Sequence, residues 1–135
     1  ATHAVLSGMI ERKSGHIINI GSIAGREAYS KGAVYCASKH AVDAITRSLR
    51  MDTIDKNILV STIDAGLVET NFSKVRFHGD EEKANTMYKG LTPLTGDDIA
   101  DAVLYCATRP PHVNIAEITL LAAQQASATV VHREN

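Results

Sequence analysis

The chain has 135 residues, 44% hydrophobic and 21% charged, with a formal net charge of -1, the balance of one globular domain. Near-neutral charge argues against the basic footprint of a nucleic-acid binder, and no apolar run approaches the roughly 20 residues that cross a bilayer. The opening Ala1-Thr2-His3-Ala4-Val5-Leu6 lacks the basic start and long apolar core of a secretion signal, so a cytoplasmic protein with small-molecule partners is expected.

Ala4, Val5, Leu6, Met9 and Ile10 recur at helical spacing, and Ser14-Gly15 ends that pattern. His16 to Gly21 is a short isoleucine-rich run that fits a buried strand, and Ser22 to Lys31 carries loop signals. A long helix is expected from Val34 to Ile54, with Ala37, Ala41, Ala44, Ile45, Ser48 and Leu49 forming a small-to-apolar stripe that another element can approach closely.

Ile58 to Ile63 reads as a second buried strand, and Asp64-Ala65-Gly66 opens a loop. Asp80 to Lys89 is polar enough for a surface helix. Thr95 and Asp98 have the spacing of a capping box, and Ile99, Ala102, Val103, Cys106 and Ala107 then repeat at helical spacing. Pro110-Pro111 ends this helix, and Glu117 to Leu121 reads as a last strand. The order strand, helix, strand, helix, strand predicts an α/β fold with a parallel sheet and right-handed crossovers.

Cys36 and Cys106 lie far apart, without C-x-x-C spacing or a histidine cluster, so free thiols are expected rather than a disulfide or zinc. His16, His40, His78 and His112 make no metal set; surface or packing roles are expected of all four, and His78, beside Gly79, has only a slight claim to touch substrate.

The chemistry concentrates in Tyr35-Cys36-Ala37-Ser38-Lys39, with Ser22 upstream. A phenol is a poor acid or base at neutral pH unless a cation favours its phenolate. Residues four apart share a helix face, so Lys39 is placed to supply that cation beside Tyr35. With the Ser22 hydroxyl, the set suits interconversion of a hydroxyl and a carbonyl: Tyr35 exchanges the proton and Ser22 hydrogen-bonds the reacting oxygen.

Ser22, Tyr35 and Lys39, preceded by Ile17-Ile18-Asn19-Ile20-Gly21 and followed by Gly66-Leu67-Val68-Glu69-Thr70, closely resemble the short-chain dehydrogenase/reductase family over essentially the whole chain. The resemblance implies the C-terminal half of a Rossmann-like doubly wound parallel sheet. Members are nearly twice as long, and their first half holds a glycine-rich pyrophosphate loop that has no counterpart here. Residues 1–135 are therefore expected to be a single partial domain, the catalytic half. Three strands alone leave an edge open where that first half would pair.

The resemblance also implies that the turn holding Gly66, Val68 and Thr70 binds the nicotinamide carboxamide, next to Tyr35 and Lys39. Ala65 stands where relatives carry proline, which removes some preorganisation from the turn. Gly15 to Gly25, Val75-Arg76-Phe77 and Pro111-His112-Val113-Asn114-Ile115 resemble the NADP-dependent 3-hydroxy acid dehydrogenase subgroup, which oxidises serine, allo-threonine and related short acids. The expected cofactor is NADP, with NAD possible. Arg26 and Arg76 are the candidates to pair the substrate carboxylate.

A homo-oligomer, tetramer or dimer, is implied as well, using the Ala37 to Ala44 stripe, the last strand and a tail from Gln124 to Asn135 that reaches to a neighbour. Two alternatives stay open. One is a non-catalytic fragment or assembly half-domain without a cofactor phosphate site; the other is a carbonyl or sugar-alcohol reductase of the same family.

Overall fold

In the computed structural model, which describes residues 1–76, 79, 82 and 86–134, helix α1 (Thr2–Glu11) leads into strand β1 (Gly15–Ile20). A single 3-10 turn (Ile23–Gly25) and a loop connect β1 to the long helix α2 (Ala33–Asp52). Strand β2 (Ile58–Ala65), helix α3 (Asn71–Arg76), helix α4 (Gly96–Ala107) and strand β3 (Glu117–Leu120) follow. The 80–89 helix reading, like the subgroup signature at Phe77 and the weak substrate claim of His78, falls largely or wholly outside the described residues.

The three strands form one parallel sheet in the order β1-β2-β3. Register puts Ile17 beside Val60 and Ile20 beside Ile63, and then Ile63 beside Ile118. Residues of like parity along a strand share a face, so one face carries Ile18, Ile63, Ile118 and Leu120. Ala102 and Cys106 of α4 close over Ile63 there as the hydrophobic core. The opposite face carries Asn19, Thr62, Asp64 and Glu117 and is covered by α2: the Asn19 amide donates to Thr46 Oγ1 at 2.8 Å, and Arg47 pairs with Glu117 at 3.2 Å. Helices on both faces of a parallel sheet are the expected doubly wound arrangement. None of the helices among the described residues is long and apolar enough to cross a membrane.

Local chemistry accounts for the element ends. Thr95 Oγ1 accepts from the Asp98 backbone N–H while the Asp98 carboxylate accepts from the Thr95 N–H at 2.6 Å, so the capping box read from sequence is formed. That bonding, led by the Thr95 backbone, holds the Asp98 carboxyl below its ordinary range. Asn57 precedes β2 with φ 59, a left-handed conformation that asparagine tolerates, and its amide donates to Lys13 O, aligning the starts of β1 and β2.

The stripe on α2 is turned the other way from a core face. Ala37, Ala41, Ala44, Ile45 and Ser48 are exposed, whereas Cys36 and Thr46 are buried against the sheet. The covered sheet face sets Asn19, Thr62 and Asp64 among the buried Ile17 and Val60, and Thr46 on the inner side of α2 accepts from the Asn19 amide. The tail bonds its own chain: Glu134 N–H donates to Gly90 O, and Arg133 donates to Met87 O and Lys89 O.

The free sides of β1 and β3 pair with no described strand. Val34, Met51, Ile54 and Val75 are all at least 70% exposed. A polypeptide of these 135 residues alone is therefore expected to aggregate or to melt without a sharp transition, because an open strand edge and apolar surface face water together. Calorimetry and light scattering check this, and a cooperative melt of a soluble monomer would refute it.

Candidate active site

The site forms where β1 and β2 end. At the carboxyl end of β1, Gly21 N–H donates to Ile63 O at 2.8 Å. A Cβ on Gly21 would lie 2.0 Å from Asp64 Oδ1 and 2.8 Å from Thr62 Oγ1, so a larger residue there would push the Asp64 carboxylate out of its place. The chain then turns through Ser22, an extended residue whose buried hydroxyl accepts from Ala24 N–H and donates to Ala65 O, each at 3.2 Å. Ser22 is thereby anchored to the ends of both strands.

Tyr35 and Lys39 come from the first turns of α2 and line the same cavity as Ser22, a space of about 590 Å³. The Tyr35 ring lies 5.5 Å from the Phe72 ring at 44°, and the Lys39 ammonium is 5.9 Å from the Tyr35 centroid. Lys39 Nζ donates to Ile20 O at 3.0 Å and more weakly to Gly21 O at 3.4 Å. Burial pulls the Lys39 ammonium below the ordinary lysine range, and the Asp64 charge partly opposes this. An ammonium has three N–H donors, so one remains beyond these two carbonyls.

Gly66, Val68 and Thr70 line the cavity from the β2 side. Their turn lacks proline but is held by other means. Gly66 N–H donates to Leu120 O and Leu67 N–H to Gln125 Oε1, both at 2.8 Å. Leu67 O and Glu69 N–H bond the backbone of Leu94, and Val68 O accepts the Tyr88 hydroxyl at 2.9 Å. Thr70 Oγ1 accepts from Phe72 N–H, which caps α3 and leaves the Thr70 hydroxyl proton able to donate elsewhere.

The two arginine candidates separate. Arg26 is not in the cavity wall: its guanidinium is held by Asp64 at 2.7 Å and Glu117 at 2.8 Å, with Asp43 at 3.9 Å. Those carboxylate hydrogen bonds, Asp64 first, push Arg26 further above the already high guanidinium range. A guanidinium so bonded ties the loop after Ser22 to β2 and β3 instead of meeting a substrate. Arg76 does line the cavity, 5.7 Å from the Tyr29 ring and 5.9 Å from the Tyr35 ring.

Four contributors escape a reading of motifs. Tyr29 lies between Ser22 and Tyr35 without motif spacing, yet its ring enters the cavity. Asp64 had a signal, a carboxylate inside an otherwise buried strand. Tyr88 and Gln125 have none, because only the folding of remote loops brings them to Val68 and Leu67. Two of the histidines have structural partners: His16 Nε2 meets Ser61 Oγ at 2.7 Å, and His40 Nδ1 donates to Cys36 O at 2.8 Å. Cys36 and Cys106 are buried free thiols.

Residues 1–81 match the profile described as short chain dehydrogenase. The chain belongs to that family. Among the family's curated proteins, the NADP-dependent 3-hydroxy acid dehydrogenase of Schizosaccharomyces pombe is 47% identical over 133 residues, which are 98% of this chain and 51% of that protein. The protein of the same description from Salmonella typhi is 48% identical over 134 residues, 98% of this chain and 54% of its own length. A solved family structure, the closed form of serine dehydrogenase complexed with NADP+, superposes with a TM-score of 0.92 at 44% identity, covering 98% of this chain and 54% of that one. The chain spans about half the length of the curated relatives it matches, and the Rossmann-like assignment of its fold is shared with this neighbour.

Proposed function

We propose that this chain supplies the proton-transfer half of an NADP-dependent oxidoreductase that interconverts a small 3-hydroxy acid, such as serine or allo-threonine, and its carbonyl product. The observation that carries this reading is the convergence of Ser22, Tyr35 and Lys39 on one cavity closed by the Gly66 to Thr70 turn. Similar proteins described as NADP-dependent 3-hydroxy acid dehydrogenases support the choice of substrate and of NADP over NAD.

The residues present fit the nicotinamide end of such a cofactor. The remaining Lys39 N–H donor and the Thr70 hydroxyl proton are the groups that would hold it, with Gly66 and Val68 as the wall. When bound, the nicotinamide would accept or return the hydride of the substrate's carbinol carbon. Tyr35 would take the hydroxyl proton as that carbon is oxidised and give it back in reduction. The Lys39 cation favours the phenolate, and Ser22 exchanges its long bond to Ala65 O for one to the reacting oxygen. Residues 1–135 are in this account a single partial domain. The exposed α2 stripe would serve self-association into a dimer or tetramer, and a cytoplasmic location suits an enzyme of soluble metabolites.

A second reading, a non-catalytic half-domain, is favoured by one feature, the lack of a glycine-rich phosphate loop in these residues. NADPH titration separates the two. A polypeptide carrying a first half as well as this chain is expected to bind NADPH and to reduce NADP+ with L-serine and L-allo-threonine ahead of sugar alcohols or neutral alcohols. Failure to bind NADPH would favour the non-catalytic reading, and a preference for uncharged substrates would favour the carbonyl or sugar-alcohol reductase.

A further inference from the structure

Tyr29 is not one of the proton-transfer residues, yet its ring stands in the same cavity wall as Tyr35 and Arg76. Its placement depends on Gly32, where a Cβ would come within 2.3 Å of the ring, so any larger residue there would displace it. The Arg76 guanidinium lies 5.7 Å from the Tyr29 ring centroid and 5.9 Å from the Tyr35 ring centroid, so Tyr29 and the cation share one stretch of cavity wall. A protonated phenol has its own O–H to donate, and a nearby cation polarises that O–H. The phenol stays protonated at neutral pH, since burial pushes Tyr29 up despite the opposing Arg76 charge.

We propose that Tyr29 is a specificity-determining residue whose hydroxyl, with the Arg76 guanidinium, forms a two-donor subsite for the substrate carboxylate. The inference rests on the hydroxy-acid reading above and deepens it. A carboxylate is acceptor-only and takes donors at both oxygens, which matches one cationic and one neutral donor held side by side. Tyr35 and Tyr29 then divide the work: one moves the proton at the carbinol and the other binds the acid group. Cation–π contact with the two rings restrains the guanidinium, so less side-chain freedom is lost when a carboxylate arrives.

The test is ligand-detected NMR titration of propanoate and of propanamide, its neutral counterpart, against the two-half protein with NADPH present, in the unsubstituted form and as Tyr29→Phe. A hydrogen bond to a charged group predicts that Tyr29→Phe raises the propanoate Kd by about tenfold or more and leaves the propanamide Kd unchanged. Equal weakening of both ligands, no change in either, or no propanoate binding by the unsubstituted protein would each overturn the proposal. These titrations need no turnover, so a failure of the hydroxy-acid reading shows separately, as absent NADP+ reduction with L-serine and L-allo-threonine.

Discussion

Tyr35→Phe, placed in a polypeptide that carries both halves, is expected to lower kcat by about 10²- to 10⁴-fold, the usual contribution of a positioned acid/base. The substitution removes one oxygen and keeps the ring, so the packing against Phe72 and the Arg76 cation over the ring both persist. NADPH affinity is accordingly expected to stay within a few-fold of the parent, roughly the scale of one neutral hydrogen bond. Steady-state kinetics with a parallel fluorescence titration of NADPH measures both. Turnover near the parent value would remove Tyr35 from the chemistry.

Lys39→Met should rank next, with kcat/KM falling roughly 10²- to 10³-fold, as when a preorganised donor is removed from a reacting site. Methionine keeps the stem of the side chain and deletes the charge. Two things are lost together: the cation beside the phenol, and the N–H bonds that tie α2 to Ile20 O and Gly21 O. Loss of the cation makes the phenolate harder to form, so the rising limb of the pH–rate profile for oxidation should move to higher pH. Lys39→Arg restores a charge but not a compact ammonium, and should recover the position of that limb better than the rate. A Lys39→Met profile with an unmoved limb would mean that the residue only braces the strand ends.

The parts of the fold visible in the sequence are those with a strong local cause. Period-3.6 apolar spacing, the isoleucine run of β1 and the Thr95 and Asp98 pair each name their own element, and each forms. The Tyr35 and Lys39 pair was equally legible, because four residues of helix bring them together without help from the rest of the chain. What escaped was long-range. Whether Ala37 and Ala41 face a sheet or solvent depends on what the sheet presents, and that face mixes Asn19, Thr62, Asp64 and Glu117 with Ile17 and Val60.

Arg26 illustrates the same point at the site. Its place in the loop after Ser22 suited substrate contact, but the sequence shows nothing of Asp64 and Glu117 converging on its guanidinium from two strands. Gln125 is the converse case. Nothing nearby in the chain marks it, yet its buried amide oxygen takes the Leu67 N–H, in the turn where proline is missing. The hold that a proline at position 65 would give the turn comes from tertiary contacts instead, with Gln125, Leu94 and Tyr88.

In the proposed reaction a hydride leaves the substrate's carbinol carbon for the nicotinamide while Tyr35 takes the hydroxyl proton. The most direct test is isotope transfer: the two-half protein oxidises L-allo-threonine deuterated at C3 with NADP+, and the NADPH formed is analysed by mass spectrometry. Deuterium recovered at the nicotinamide C4 is the predicted result. NADPH that forms without the label, or no NADPH at all, would contradict the account.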